Sequence, residues 1–207
     1  MQPTPHNLVD QVIIQSNQLI QKPSQYTLIG KGRSAFVFLD EGNGCAIKIF
    51  FEEFEHLAKQ EGDIYKRLKG CPYFPNVYEV GPNYLVMDYI EGMTFYQCLQ
   101  KGIPITDEMV EKVEEALSFA RQQGLNPSDI HLQNLLYTKD GTVKVIDVVR
   151  FTQDKVCHQW DDLREAHQRI YQRKYFIFKR IPKPLIDTVA FLYKKIIIPF
   201  RSLRLSK

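Results

Sequence analysis

The spacing of apolar residues changes once along the chain, near Glu91-Gly92. Before that point, short apolar runs separated by glycine, proline and asparagine predict five strands, with one helical pattern over 52–68 between the third and the fourth. After it the spacing is helical, from Thr106 to Gly124 and again from Gln159. The predicted strands are 26–30, 35–40, 45–50, 76–80 and 84–89. We therefore expect an α+β fold of two lobes: a five-stranded antiparallel N-lobe with one helix, and a minimal helical C-lobe.

The composition is that of an ordinary globular protein. Of the 207 residues, 44% are apolar and 25% are charged, which argues against a disordered chain. The sequence contains no apolar run long enough to predict a membrane-spanning helix, and its first residues lack the basic start and apolar core of a secretory signal. Its four scattered cysteines form no C-x-x-C pair, which is typical of reduced thiols and not of a disulfide framework or a zinc site. We therefore expect a cytoplasmic protein.

Positive charge is concentrated at the end of the chain. Residues 173–207 contain ten Lys or Arg and one acid, Asp187, so this tail carries +9 while the rest carries −6 of a total of +3. Apolar residues lie among the basic ones, which allows two interpretations of residues 185–207. The favoured one is a last helix that packs on the lobe with its cations in solvent, and the other is a peripheral anchor on an anionic membrane. No nucleic-acid recognition motif is present, and no nucleic acid is predicted as a partner.

Three stretches of the N-lobe have the composition of a ligand pocket. The first, Ile29-Gly-Lys-Gly32, leads through a short turn to Val37; glycines would let backbone amides approach phosphate oxygens, although an ordinary tight hairpin also needs them. In the second, Cys45-Ala-Ile-Lys48, the lysine lies in an apolar strand, where it must pair with an acid or reach water. The third, Leu85-Val-Met-Asp-Tyr-Ile-Glu-Gly92, has the composition of a buried strand and the hinge after it.

Three oxygen-bearing side chains lie around one predicted hairpin of the C-lobe. Asp129 and Asn134 are five residues apart, and Asp147 follows the predicted strand 143–146. Such hard oxygen ligands suit Mg²⁺. Structural alternatives exist for each of them: a turn cap after Pro127-Ser128 for Asp129, another turn position for Asn134, and an ion pair with Lys144 or Arg150 for Asp147.

Together these stretches resemble the protein-kinase-like superfamily, and in particular small bacterial serine/threonine-protein kinases, over about residues 25–163. The glycine-loop pattern G-x-G-x-x-G-x-V is matched at Gly30, Gly32 and Val37, with Ala35 at the third glycine. The V-A-I-K pattern is matched at Ala46, Ile47 and Lys48, the spacing of H-R-D-L-x-x-x-N at Asp129 and Asn134, and the aspartate of D-F-G at Asp147. The resemblance implies a domain over 25–207, divided near 90/91, after an N-terminal extension over 1–24 that we expect to be a short helix ending before Pro23.

The resemblance also implies a role for each residue. Lys48 would hold the α- and β-phosphates of ATP and would itself be held by a glutamate of the following helix, with Glu61 favoured over Glu53 or Glu55. Asp129 would accept the proton of the acceptor hydroxyl, and Asn134 with Asp147 would bind Mg²⁺. The expected nucleotide-binding residues are Ile29, Gly30, Gly32, Val37, Ala46, Lys48, Glu61, Met87 at the back of the adenine pocket, and Ile90 near the hinge.

Departures from the family pattern leave the acceptor open. Pro127-Ser128 replaces His-Arg before the aspartate, His131 stands where protein kinases usually have lysine, Val148-Val149 replaces Phe-Gly, and no A-P-E motif follows. The favoured expectation is a kinase that phosphorylates a Ser or Thr hydroxyl on protein, with ATP and Mg²⁺. One alternative is a kinase of small-molecule hydroxyls, such as sugars, aminoglycosides or lipids. The other is a pseudokinase or nucleotide-binding scaffold.

Overall fold

The computed structural model describes residues 9–172, 180–193 and 195, and its elements follow the two-lobe order. The first lobe contains seven strands and one α-helix, which follows a short 3-10 turn at Glu52–Phe54. These elements are β1 (Ile13–Gln15), β2 (Gln18–Gln21), β3 (Tyr26–Lys31), β4 (Ala35–Asp40), β5 (Cys45–Phe50), α1 (His56–Leu68), β6 (Val77–Val80) and β7 (Tyr84–Asp88).

The second lobe is mostly helical, with a small sheet at its boundary with the first. Its elements are β8 (Gly92–Thr94), α2 (Phe95–Lys101), α3 (Asp107–Gln122), β9 (Leu135–Thr138), β10 (Val143–Val145), α4 (Gln159–Ala166) and α5 (Lys183–Leu192). Strands β8, β9 and β10 form an antiparallel three-stranded sheet in the order β10-β9-β8. Helix α4 continues into one π-helical turn at His167–Tyr171.

Strands β3 to β7 form one antiparallel sheet in the order β3-β4-β5-β7-β6. Because side chains alternate between the faces of a strand, this sheet contributes to two cores. Ala46 and Phe50 belong to the core that includes α1 and the second lobe. Ile47 and Ile49 belong to a second core on the opposite face. The expected α+β class and the five-stranded antiparallel sheet with one helix are confirmed.

The N-terminal segment forms a β-hairpin, so the expected helix before Pro23 is wrong within the described residues. Strands β1 and β2 pair across Ser16 and Asn17, which have φ values of 48° and 60°. Two left-handed residues give the turn that matches the twist of a hairpin. Ile14 and Leu19 pack against the outer core of the five-stranded sheet, so this segment covers a face of the sheet that would otherwise meet solvent. Residues 1–8 of the expected extension lie outside the described residues.

Helix α2 lies where the sequence predicted no helix. Thr94 caps it by accepting a hydrogen bond from the amide of Gln97, whose side chain accepts one from the amide of Thr94. This reciprocal capping box is itself a sequence signal, T-x-x-Q, before an apolar pattern. By contrast, α3 begins after Thr106, as predicted, with the Thr106 side chain accepting from the Met109 amide.

The basic tail is described only in part. Helix α5 contacts α2 through Tyr96, whose hydroxyl donates to Asp187 at 2.7 Å, and the side chain of Ile186 is buried in the core that includes both lobes. The large apolar side chains of Leu185, Val189, Phe191 and Leu192 are exposed. Residues 194 and 196–207 of the predicted packing or anchoring segment lie outside the described residues. Within the described ranges, no helix is both long and apolar enough to cross a membrane.

Candidate active site

Lys48 lies between two carboxylates at the boundary of the lobes. Its Nζ is 2.6 Å from Oε2 of Glu61 on α1 and 2.9 Å from Oδ1 of Asp147, which follows β10. Lys48 is 8% exposed and Glu61 is fully buried, whereas the side chain of Asp147 is 47% exposed. The structure therefore brings together a strand, a helix and a C-lobe turn around one ammonium group, and leaves one carboxylate open to the cleft.

Burial and charge act in opposite directions on this cluster. Burial disfavours the ammonium form of Lys48, but the adjacent carboxylates of Glu61 and Asp147 outweigh it and hold the lysine pKa above its ordinary value. Burial likewise acts to raise the pKa of Asp147, and Lys48 overcomes this so that the pKa is lowered. Lys48 is therefore a fixed cation and Asp147 a fixed anion near neutral pH.

The position of Glu61 depends on the close approach of α1 to strand β6. A Cβ added to Gly62 would lie 2.7 Å from Cγ2 of Val80, closer than real side chains approach. Helix α1 runs through this glycine without a break and presents Glu61 to Lys48. Of the other two candidates, Glu53 instead accepts a hydrogen bond from Asn17 in the β1–β2 turn, 2.7 Å away.

Asp129 and Asn134 lie in one loop that is bonded to the segment before Asp147. The Asn134 side chain donates to the carbonyl of Asp129 at 3.2 Å, and the amide of Ile146 donates to the carbonyl of Asn134 at 2.9 Å. Asp129 and Asp147 both have left-handed backbones, with φ of 60° and 57°. Such backbones are uncommon outside glycine and concentrate at functional turns.

Asn134 and Asp147 have the donor atoms that Mg²⁺ requires. The Asn134 side chain uses its NH₂ group on the loop, so its Oδ1 remains as an acceptor, and Asp147 uses Oδ1 on Lys48, so its Oδ2 remains. Among the described residues neither oxygen accepts a hydrogen bond within 3.5 Å. An amide oxygen and a carboxylate oxygen are ligands that Mg²⁺ prefers. The residues fit the metal that the resemblance implies.

The expected nucleotide-binding residues of the N-lobe lie mostly on one face of the sheet. Val37 is opposite both Gly30 and Lys48, and Ala46 is opposite Met87, so their side chains share a face. Ala46 and Met87 are buried in the core that the second lobe completes, and Val37 packs against that core. The three remaining residues lie at the edges: Ile29 is exposed on β3, Gly32 is in the β3–β4 turn, and Ile90 is half-buried just after β7.

The sequence did not identify the two arginines that pair with Asp129. Arg33, at the tip of the β3–β4 turn, has Nη2 3.6 Å from Oδ2 of Asp129. Arg150 has Nε 3.3 Å from the same oxygen. The sequence suggested Arg150 as an ion-pair partner of Asp147, but the geometric ion pair of Arg150 is with Asp129, and Asp147 pairs with Lys48. No motif signals either arginine, because the contacts depend on how the lobes close.

Named relatives share most of this chain. The Bacillus subtilis protein "Putative serine/threonine-protein kinase YrzF" is 51% identical over 177 residues, which cover 84% of this chain and 82% of that protein. The chain belongs to the protein-kinase-like superfamily. The resemblance of the sequence to bacterial kinases is thereby confirmed, and the kinase-like fold accounts for a five-stranded sheet joined to a small helical lobe.

Longer bacterial kinases match a smaller part of the kinase-like chain. A "Probable serine/threonine-protein kinase" of Clostridium perfringens is 31% identical over 140 residues, and the "Probable serine/threonine-protein kinase PknB" of Lactococcus lactis is 30% identical over 137. Each alignment covers 58% of this chain but only 20% and 22% of those proteins. The chain thus corresponds to about a fifth of either relative. No family model matches the chain.

Proposed function

We propose that this kinase-like protein transfers the γ-phosphate of ATP to a Ser or Thr hydroxyl on a protein. The observation that carries the proposal is the bridging of Glu61 and Asp147 by Lys48, at 2.6 and 2.9 Å. A buried lysine held by two carboxylates from different lobes is expensive as a purely structural device, since charges lose hydration on burial. It is suited to hold phosphate oxygens at a fixed place. The names of the relatives support the same reaction class.

In the proposed reaction each residue handles one charge or proton. Lys48 binds the α- and β-phosphates, while Asn134 and Asp147 would hold Mg²⁺, which would neutralise charge on the phosphate oxygens. The acceptor hydroxyl oxygen attacks the γ-phosphorus and the bond from that phosphorus to the bridging oxygen of ADP breaks. Asp129 positions the hydroxyl and takes its proton.

The adenine would lie against the sheet face that carries Val37, Ala46 and Met87. That face is apolar and closed by the second lobe, and therefore excludes water from the purine. The backbone after β7, around Ile90, would bond the purine edge. Gly30 and Gly32 would let the β3–β4 turn approach the phosphates.

Phosphorylation of a small molecule is the second candidate. The observation that favours it is the segment between β10, which ends at Val145, and α4, which begins at Gln159: it is short and contains neither helix nor strand. A longer ordered loop would offer a peptide more surface. His131, where protein kinases usually have lysine, favours the same candidate.

Labelled ATP tests the proposal directly. The purified chain is incubated with [γ-³²P]ATP, Mg²⁺ and cell extract, and label is sought on proteins and on small molecules. We expect label on protein Ser or Thr, lost in Asp129→Asn and retained in the matched control Asp154→Asn, which changes an exposed aspartate outside the cluster. Label on a small molecule instead would establish the second candidate. Nucleotide binding without transfer to any acceptor would favour a scaffold.

A further inference from the structure

Two cations from opposite lobes lie against one oxygen of the proposed base. Arg33 of the N-lobe and Arg150 of the C-lobe are 3.6 and 3.3 Å from Oδ2 of Asp129. Arg150 is also close enough to Asp147 to help lower the pKa of that carboxyl, so the arginines have a second carboxylate nearby and no excess charge. What distinguishes the group is that two guanidinium groups share a single carboxylate oxygen, so other N–H donors of both arginines remain for phosphate oxygens.

The backbone around Arg150 is fixed by the catalytic loop. Arg150 lies in a turn that is closed by a hydrogen bond from the Phe151 amide to the carbonyl of Val148 at 2.9 Å. Val148 and Phe151 are fully buried. Asn126 holds the far side of the turn: its amide donates to the carbonyl of Phe151 at 2.7 Å and its side chain to that of Gln153 at 2.7 Å. The arginine therefore starts from a rigid base beside Asp129 and only its side chain needs to move.

Helix α1 is bonded to the same turn. The Gln60 side chain donates to the carbonyl of Val149 at 2.9 Å, one residue before Arg150. Gln60 precedes Glu61, the partner of Lys48, on α1. The phosphate-holding lysine and Arg150 are thus positioned by adjacent residues of a single helix.

Arg33 is free to move. The β3–β4 turn is tight, with the Gly32 amide donating to the carbonyl of Ala35 at 2.9 Å, so Arg33 is one of its two tip residues. Its side chain is 78% exposed. A long exposed side chain on a rigid tip can move from Asp129 to a neighbouring anion at small cost.

Both ion pairs of Asp129 are made by one carboxylate oxygen, Oδ2. The other oxygen, Oδ1, makes neither pair and can accept a hydrogen bond from an incoming hydroxyl, so the pairs are compatible with the proposed role of Asp129. Guanidinium groups match phosphate oxygens well, because their planar donors can bond two oxygens at once. A γ-phosphate next to Oδ2 of Asp129 would therefore offer both guanidinium groups a better-matched partner than the single oxygen that they share.

We propose that Arg33 and Arg150 bind the phosphoryl group that is transferred, and that Asp129 holds them in place until a nucleoside triphosphate arrives. The inference rests on the proposed function and adds two phosphate-binding residues at positions that the family motifs do not specify. Arg150 has the larger role, because its backbone is fixed and its contact is shorter.

Calorimetry with Mg²⁺ and either ADP or a non-hydrolysable ATP analogue tests this without relying on turnover. We expect Arg150→Gln to lower the affinity for the triphosphate about tenfold, as for the loss of one charged contact, and to leave the affinity for ADP within about twofold. Arg33→Gln should give a smaller loss of the same kind. Arg121→Gln serves as the control, because Arg121 pairs with Glu114 at 2.9 Å on α3 and should alter neither affinity.

The outcomes distinguish a failure of the phosphate-binding role of the arginines from a failure of the proposed kinase function. Equal losses for both nucleotides, or no loss for the triphosphate, would overturn the phosphate-binding role of Arg150 while leaving nucleotide binding intact. A wild-type chain that binds neither nucleotide would overturn the proposed function together with this inference. Urea unfolding shows whether Arg150→Gln is folded. If it is not, Arg33→Gln, on an exposed turn, gives the same test. Arg150→Lys should recover part of the preference for triphosphate, since it keeps the charge but not the planar donors.

Discussion

Lys48 and Glu61 form a buried ion pair, with Nζ 2.6 Å from Oε2, that joins the central strand of the N-lobe sheet to helix α1. Removing one partner of a buried pair leaves the other charge without compensation, which costs about 3–5 kcal/mol. Replacing both partners by apolar groups of similar size removes that cost. The pair therefore allows its structural effect to be separated from its proposed function.

The first prediction concerns this double replacement. Lys48→Met should lower the free energy of unfolding by about 3 kcal/mol, because the fully buried Glu61 loses its partner. The double variant Lys48→Met with Glu61→Leu should recover most of that stability in urea unfolding. The double variant should nevertheless bind ATP more weakly than the wild type, because no ammonium group remains to bind the phosphates. A double variant no more stable than Lys48→Met alone would show that the two side chains are not coupled.

The second prediction concerns Gly62. In an open helix, glycine to alanine stabilises by about 1 kcal/mol. Here the added methyl would lie 2.7 Å from Cγ2 of Val80, and relieving such a contact costs about 1–3 kcal/mol. The contact should outweigh the propensity, so Gly62→Ala should lower the urea midpoint. In a Val80→Ala background the same change should be neutral or stabilising. A rise in stability with Val80 in place would contradict the close packing of α1 on β6.

The third prediction concerns magnesium. A ligand that binds the folded state raises the melting temperature, so ATP with and without Mg²⁺ can be compared in one thermal assay. Asp147→Asn and Asn134→Leu should each lose the increment that Mg²⁺ adds. Asp147→Asn should bind metal-free ATP no worse than the wild type, since it removes a negative charge near the phosphates. Asn tolerates the left-handed backbone at this position, where φ is 57°. An unchanged magnesium increment in both variants would refute the assignment.

The five-stranded sheet was predictable because its buried strands consist of the residue types that are typical of buried strands. Strands β4 and β5 have the residue types of buried strands and are separated by a glycine-rich turn, and both were predicted with the observed bounds. The hairpin β1–β2 was missed because Ser16 and Asn17 adopt left-handed backbones without a glycine to signal the turn. Helix α2 was missed because seven residues give too few turns for a clear period.

The candidate site was predictable as a set of residues, and less so as a set of contacts. Three separate motifs singled out Lys48, Asp129 and Asp147. Residue spacing favoured Glu61 over Glu53 or Glu55 as the partner of Lys48, and the structure has this pair. The spacing alone could not exclude the other two, since the choice depends on the rotation of α1 about its axis. The ion pairs of Arg33 and Arg150 with Asp129 join residues of both lobes. Contacts of this kind follow from the relative position of the lobes, which local sequence patterns do not contain.

The fourth prediction concerns the tail, for which the sequence left packing and membrane anchoring open. Only Ile186 of the α5 side chains is buried among the described residues, and Val189 and Phe191 are 59% and 55% exposed. Lys195 lies over the Phe191 ring, 4.8 Å from its centre, so charge and apolar surface occur together. Such a surface suits an anionic bilayer, which attracts basic residues and accepts apolar ones.

Vesicle pelleting tests this hypothesis on the full chain. We expect more protein to pellet with phosphatidylglycerol vesicles than with phosphatidylcholine vesicles, and less as salt is added, because salt screens the attraction. The pair Val189→Ser with Phe191→Ser should lower pelleting several-fold, since both apolar contacts with the bilayer are lost. Val156→Ser, at a valine that is 74% exposed outside α5, is the matched control and should have no effect. Equal pelleting of the wild type and the α5 variant would leave packing within the protein as the role of this helix.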